Sequence, residues 1–271
     1  MKAELEKFFE EEKIGHYAAL PYTALRVTNP AIMEREDFTA RTVILFLLPY
    51  YAGETGNLSR YAASLDYHLL IRELTAKLCA RLESLFPGAR SKGYGDHSPL
   101  DECDAALRAG LGVLGDNGLI LNPEYGSYVF IADVITDVPP EAIGAGEPSG
   151  KRFCEHCGAC RRACPTGILR GEGSDCLSAI TQRKGELDEE EKALMRRFHT
   201  AWGCDLCQTC CPHNKNPKPT PLAFFYRERV ENLDRAFLDS LDKAAFSRRA
   251  FAWRGRRTVE RNLDILEEKE G

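Results

Sequence analysis

Residues 154–168 read CEHCGACRRACPTGI and residues 204–214 read CDLCQTCCPHN, and nine of the chain's eleven cysteines fall between 154 and 211. The other two, Cys79 and Cys103, stand alone in the first half of the chain. The chain has 271 residues, and such a length can hold one large core or two modest ones. Its net charge of -5 gives no general attraction to nucleic acid or anionic membrane. The opening MKAELEKFFEEEKIG reads as an amphipathic helix with too many acids for a signal peptide. The longest apolar run, TVILFLLPYYA, is too short to span a bilayer. The expected setting is therefore cytoplasmic and off the membrane, where clustered thiols serve as metal ligands more often than as disulfides.

The spacing narrows the metal. The first run is Cys154-x2-Cys157-x2-Cys160-x3-Cys164-Pro165, and the second is Cys204-x2-Cys207-x3-Cys211-Pro212. In bacterial iron–sulfur modules of this spacing, three cysteines hold one cubane and the fourth reaches the other. Two-residue gaps let a tight loop wrap three iron corners, while the next thiolate points away. Structural zinc also uses Cys-x2-Cys pairs, but usually as two pairs separated by a longer loop. Two cubanes need eight ligands; the runs supply seven, and Cys176 in GSDCLSAI is the natural eighth. Two [4Fe–4S] clusters are expected, one on Cys154, Cys157, Cys160 and Cys211 and one on Cys164, Cys176, Cys204 and Cys207. Cys210 is left as a spare thiol that could compete with Cys211.

Around this module the chain reads as an α+β protein. Residues 1–140 form an expected α/β domain: TARTVILFLLPY is a strand buried on both faces. SRYAASLDYHLLIRELTAKLCARLESLFPG is a long helix with Leu69, Leu74, Leu78 and Leu82 on one face, ended by Pro87-Gly88. DECDAALRAGLGVLGDNGLILN reads as helix, glycine turn and short strand, and YGSYVFIADVITDV as a further strand. PPEAIGAGEPSG, residues 139–150, is the expected linker. Residues 151–216 form a ferredoxin-like dicluster module, containing a helix in GELDEEEKALMRRFHTAW with an acidic start and a basic end. Residues 217–271 form a helical tail. Asp96 and Ser98 in DHSP have an ordinary reading as helix caps, and the glycines of AGLGVLGDNG as turns. They are not a dinucleotide fingerprint.

A front domain of this size must bind an electron acceptor or dock a partner. Clusters pass one electron at a time, so a cofactor capable of one-electron chemistry is implied. At this point SRYAASLDYH (59–68), the stretch 96–137 from DHSP to ITD, CEHCGACRRACPTGIL and WGCDLCQTCCPHN together resemble the epoxyqueuosine reductases. These are cobalamin-dependent iron–sulfur enzymes of queuosine synthesis in tRNA, distantly similar to reductive dehalogenases. The resemblance implies a corrinoid bound by the front domain, reduced by the clusters, and acting on an epoxide. It implies that Asp96 donates a proton to the departing oxygen, a role that needs a carboxyl protonated near neutral pH. It also implies cofactor contacts from Arg60, Tyr61, Tyr67 and His68, and from Gly112, Gly115 and Ser127. Each has an alternative role in ordinary helix, turn or strand packing. tRNA and an external donor such as ferredoxin or flavodoxin are the implied partners, and a monomer is expected.

Three features depart from the family's pattern. Asp116-Asn117 follows Gly115 where a lysine is usual, and Ser64-Leu65 precedes the DYH segment where Gly-Arg is usual. The chain reads as a short form without the family's C-terminal helical repeats; its tail offers only the six arginines of RRAFAWRGRRTVERNL. A related corrinoid iron–sulfur enzyme acting on a small molecule or a corrinoid protein is the first alternative. A non-catalytic electron carrier is the second.

Overall fold

The computed structural model describes residues 2–173 and 175–268; Ser174 in GSDCLSAI and the last three residues of the expected tail lie outside the described residues. The chain divides into two compact units, Met1–Pro49 with His68–His156, and Tyr50–Tyr67 with Cys157–Gly271. This division differs from the boundaries expected at 140, 151 and 216. Residues 50–67 group with the cysteine-rich region, and that region groups with the tail.

The first unit is built on strands β1 (Tyr17–Pro21), β2 (Thr42–Pro49), β3 (Ser91–Tyr94) and β6 (Val129–Thr136), with a small hairpin of β4 (Val113–Leu114) and β5 (Ile120–Leu121). The main sheet has the order β1-β2-β6-β3, and all three pairings are antiparallel. Every residue of β2 is buried, because helices cover both faces of a central strand. A continuous apolar run is thus compatible with an antiparallel sheet when neither face meets water. On one face Val43, Leu45 and Leu47 pack with Leu100, Ala105, Ala106 and Leu107 of the segment around helix Glu102–Arg108. Full burial of each large aliphatic side chain there contributes roughly 1.5–3 kcal/mol.

The other face meets the first helix, Lys2–Glu11, whose Phe9 ring lies 5.5 Å from that of Phe46. The long helix runs Tyr67–Leu85, with Leu74, Leu78 and Leu82 buried at four-residue spacing. It begins eight residues later than the SRYA start expected from sequence. The reason is hydrogen bonding: the Ser59 N–H donates to the Trp202 carbonyl (2.7 Å) and the Arg60 N–H to Oδ2 of Asp205 (2.8 Å). Those partners fix Arg60–Ala62 as a single 3-10 turn.

The Pro/Gly-rich stretch 139–150 is less of a linker than its composition suggests. Pro140–Ile143 forms a helical turn, Ile143 is buried, and the Gly146 N–H donates to the Ala19 carbonyl of β1 at 2.9 Å. In the second unit, Leu58, Ala62, Trp202, Leu233, Phe251 and Val259 share one core. A smaller core joins Leu177, Ile180, Leu187, Met195 and Ile265. Asn262 of helix Arg256–Glu267 donates to the carbonyls of Thr181 and Ala201, both at 2.7 Å, tying the tail to the cysteine-rich region. Helix Glu189–Arg197 starts on a full capping box of Asp188 and Glu191. Among the described residues, no helix is long and apolar enough to cross a membrane.

Candidate functional site

All eleven cysteines are free thiols. In the second unit they sort into two groups. Burial pushes Cys204 up to about 12; the Leu206 N–H offsets part of that rise, and the neighbouring Cys176, Asp205 and Cys164 add to it. Burial likewise pushes Cys207 up to about 12, with Cys204, Cys176, Asp205 and Cys210 adding like charge. Two buried thiols kept from ionising, Cys204 and Cys207, are a poor arrangement unless a cation shares them, and a cationic cluster core supplies that cation. Cys164 behaves differently. Burial alone would raise it, yet N–H groups of Leu169, Thr166 and Gly167, with the Thr166 hydroxyl, hold it below the ordinary thiol range. N–H donors aimed at a sulfur suit a cluster thiolate. Cys210 lies near Cys157, Cys160 and Cys211 and donates its S–H to the Cys207 carbonyl at 3.6 Å. The number of thiols suits two clusters, and the Cys210 S–H is taken up by a backbone carbonyl.

Arg60 is not available in the way the resemblance implies. Its side chain is 9% exposed, and its guanidinium lies 3.1 Å from Oδ2 of Asp205 and against Glu54. Asp205 also accepts from the Ser59 hydroxyl at 2.5 Å and from Nε2 of Gln208 at 3.0 Å. The arginine thus braces the loop between Cys204 and Cys207 through an acid; charge neutralisation, not contact with a ligand phosphate, accounts for it. The Tyr61 hydroxyl accepts from Nε1 of Trp202 at 3.0 Å, and its ring meets Tyr67 edge-on at 6.2 Å. Packing accounts for both tyrosines. Gly203, at φ 75°, lets the backbone pass Ser59 where a Cβ would come within 2.5 Å of the serine Cβ.

In the first unit, two glycines place Asp96. A Cβ on Gly93 would fall 2.1 Å from Cβ of Thr75, and one on Gly95 would fall 2.7 Å from Cδ1 of Ile71. The end of β3 is therefore pressed onto the helix that carries His68. Asp96 itself has φ 60°, a left-handed conformation unusual for a non-glycine residue. Its N–H donates to Oε1 of Glu102 at 3.0 Å, and its Oδ2 lies 3.6 Å from Nε2 of His68. The side chains of His68 and Asp96 are 37% and 50% exposed, although buried Tyr67, Leu70, Ser98 and Leu100 flank them in sequence. The helix Glu102–Arg108 is capped by Asp101, whose side chain accepts from the Asp104 N–H at 3.1 Å. Neither Asp96 nor Ser98 caps it; the Ser98 hydroxyl accepts from the Leu100 N–H at 3.2 Å. Capping therefore does not explain Asp96.

Gly112 and Gly115 belong to the β4–β5 hairpin. A Cβ on Gly112 would come within 2.7 Å of the Leu121 carbonyl oxygen, and Gly115 and Gly118 close the turn through a 2.9 Å bond. Hairpin packing leaves no room for a Cβ on Gly112, and on Gly115 a Cβ would meet Oδ1 of Asn117 at 2.5 Å. Ser127 is buried just before β6, beside the Asn122–Gly126 bridge. The segment 152–154 extends β4: the Leu114 N–H donates to the Arg152 carbonyl and the Cys154 N–H to the Leu114 carbonyl, each at 3.0 Å. That pairing sets Cys154. Asp116, at the hairpin tip, lies 2.7 Å from Nδ1 of His156, and the two group with Cys154 within 4.8 Å. The acid that stands where the family usually has lysine thus has a partner of its own.

Residues 37–96 match a family model described as "Epoxyqueuosine reductase QueG, DUF1730", and residues 153–214 match one described as "4Fe-4S double cluster binding domain". The epoxyqueuosine reductase of Bacillus subtilis (strain 168) is 33% identical over 280 residues, covering 95% of this chain and 70% of that protein. The chain belongs to the epoxyqueuosine reductase family. The enzyme of Listeria monocytogenes is 34% identical over 225 residues, which cover 78% of this chain and 56% of that protein. Against that relative the chain spans little more than half the length. The solved structure of epoxyqueuosine reductase from Streptococcus thermophilus superposes with a TM-score of 0.75 at 27% identity, covering 98% of this chain and 80% of that one. The α+β class and the double-cluster region expected from sequence agree with this family.

Four residues of this epoxyqueuosine reductase family member escaped the sequence reading: Asp205, His156, Glu102 and Asp133. Asp205 was legible in principle, as an acid fixed between two expected ligands. The others act through contacts distant in sequence, such as the pairing of Asp133 opposite both Leu45 and Tyr94.

Proposed function

We propose that this chain reduces the epoxide of epoxyqueuosine in tRNA to the cyclopentene of queuosine, using cobalamin and two [4Fe–4S] clusters. The reaction consumes two electrons and two protons and releases the epoxide oxygen as water. When bound, cobalamin supplies a strongly reducing, nucleophilic cobalt to the carbon framework. The chain's own residues do the rest. Cys154, Cys157, Cys160 and Cys211 hold one cluster on motif spacing, and Cys164, Cys176, Cys204 and Cys207 hold the other. An external one-electron donor of the ferredoxin or flavodoxin class refills them. A reducing, cytoplasmic setting suits that chemistry, and we expect a monomer.

The observation that carries the catalytic step is Asp96: a half-exposed carboxyl held in left-handed backbone beside His68 and on Glu102. Expelling an alkoxide is difficult, and a carboxylic acid at that position supplies its proton in flight. His68 is the first-unit residue that supports a corrinoid contact, since a half-exposed imidazole suits its amide-rich edge, whereas Ser127 is buried. Arg60, Gly112 and Gly115 are set aside for the packing reasons given.

The test uses anaerobic protein, cobalamin, reductant and epoxyqueuosine-bearing tRNA, read by nucleoside mass spectrometry. Asp96→Asn should retain clusters and corrinoid while losing turnover by roughly 10²–10⁴-fold. Full turnover by that variant removes the catalytic assignment.

A second substrate, a small molecule or a corrinoid protein, is favoured by the tail. Of its arginines, Arg249 donates to the Glu228 and Ala63 carbonyls, Arg256 to those of Leu238 and Leu241, and Arg261 to those of Arg183 and Gly185. Three of the six expected phosphate contacts are thus engaged inside the fold. Absence of queuosine from protein with intact clusters and corrinoid would select this reading.

A further inference from the structure

Behind Asp96 the first unit buries acid on acid. Asp133 lies in the middle of β6, opposite Leu45 on β2 and Tyr94 on β3, on the sheet face that meets helix Glu102–Arg108. It is wholly buried, and among the described residues neither of its carboxyl oxygens has a hydrogen bond of good geometry. Oε1 of Glu102 accepts the Asp96 N–H at 3.0 Å, and its carboxyl feels the charge of both Asp133 and Asp96. The polar groups facing the pair directly are acids, phenols and a hydroxyl, with cations one step further out: His68 on Asp96 at 3.6 Å and Lys92 on Glu36 at 3.7 Å. Asp133, Asp96 and Asp101 face Glu102. Ser98, Tyr22 and Tyr94 face Asp133, and Glu36 faces Tyr94. Arg26 pairs with Asp101 at 3.4 Å and leaves the inner two carboxyls to each other. No lysine, arginine or histidine pairs with Glu102 or Asp133 among the described residues.

A wholly buried Asp133 without a hydrogen bond of good geometry, and a Glu102 that feels the charge of Asp133 and Asp96 with no cation paired to it among the described residues, disfavour full ionisation of the set. The geometry points to Asp96, Glu102 and Asp133 acting as one coupled acid set that keeps a proton at neutral pH, with Glu102 as the positioning residue that fixes the Asp96 loop. The direction of each inner group agrees. Burial, then Asp133 and Asp96, pushes Glu102 up to about 8, and burial pushes Asp133 up to about 7 while Ser98 offsets part of that rise. The inference rests on the reading of Asp96 as proton donor and says where the proton is stored: on the buried side of a carboxyl set whose outer member, Asp96, is half-exposed.

Infrared titration of the full chain tests it without substrate. A protonated-carboxyl C=O band should persist at neutral pH and disappear only on the alkaline side. Glu102→Gln should remove that band's share, and Asp133→Asn should move the remaining midpoint down by about one unit, because one like charge is gone. Turnover gives the second readout. The alkaline limb of its pH profile should follow the infrared midpoint in Asp133→Asn. Glu102→Gln, which keeps an oxygen for the Asp96 N–H, should retain far more turnover at low pH than Glu102→Ala. Absence of a protonated carboxyl at neutral pH overturns the inference, whatever Asp96 does. If Asp96→Asn turns over normally while the band behaves as described, the coupled set stands and the proton-donor reading fails.

Discussion

Arg60 and Asp205 lie 3.1 Å apart with their side chains 9% and 7% exposed, and Asp205 sits between Cys204 and Cys207. A buried ion pair does little for net stability, but removing one partner strands the other's charge. Here Glu54 still faces Arg60 when Asp205 is removed, so Asp205→Ala should lower stability by about 1–3 kcal/mol, the cost of leaving buried polar groups unsatisfied. The Ser59 and Gln208 contacts are lost with it, so the Cys204–Cys207 loop should also release its cluster more readily. Denaturant unfolding of anaerobic protein, followed by cluster absorbance, gives both quantities. A midpoint equal to the unsubstituted chain's would show that Glu54, not Asp205, neutralises Arg60.

The ligand assignment separates Cys176 from Cys210. Cys176 adds like charge to both Cys204 and Cys207, whereas Cys210 adds it to Cys207 and donates its S–H to the Cys207 carbonyl. Anaerobic protein should carry about eight irons per chain for two cubanes. Cys176→Ala should lose about half of them, and Cys210→Ala should keep nearly all. Iron and acid-labile sulfide counts decide it, and the reverse pattern would exchange the two roles.

Gly93→Ala tests how the Asp96 loop is placed. The added Cβ would fall 2.1 Å from Cβ of Thr75, which cannot rotate away. Overpacking of this kind costs about 1–3 kcal/mol. Gly15→Ala, which meets nothing within 4 Å, is the control and should stay within about 0.5 kcal/mol. Thermal unfolding of the two variants side by side makes the comparison.

The pH dependence of stability has a definite sign. Glu102 rises from 4.5 to about 8 on folding, so the folded state holds its proton more tightly than the unfolded chain. Its contribution is complete below the unfolded value and is lost as pH rises through the folded value. Asp133, raised from 3.8 to about 7, acts in the same direction. Stability should fall across the window from about 4.5 to 8 for Glu102, and Glu102→Gln should flatten that slope. Denaturant midpoints at several pH values measure it; an unchanged slope in the variant would assign the pH dependence to other groups.

The sequence by itself determined the elements whose signals are local. Thiol spacing and Cys-Pro termini mark the double-cluster region. The apolar run of β2 and the four-residue spacing of Leu74, Leu78 and Leu82 mark a strand and a helix, and Asp188 with Glu191 marks a helix start. These depend on residues a few positions apart, so the chain carries them without its tertiary partners. Only the tertiary structure decided which groups Arg60, Asp96 and the glycines meet. Asp205 claims Arg60 from 145 positions away, and the Leu121 backbone claims Gly112 across a hairpin. Asp133 joins Glu102 because strand register sets it on the helix-facing side of β6. Charge and close packing act through space, and a carboxyl's neighbours in space are fixed by pairing register and helix docking.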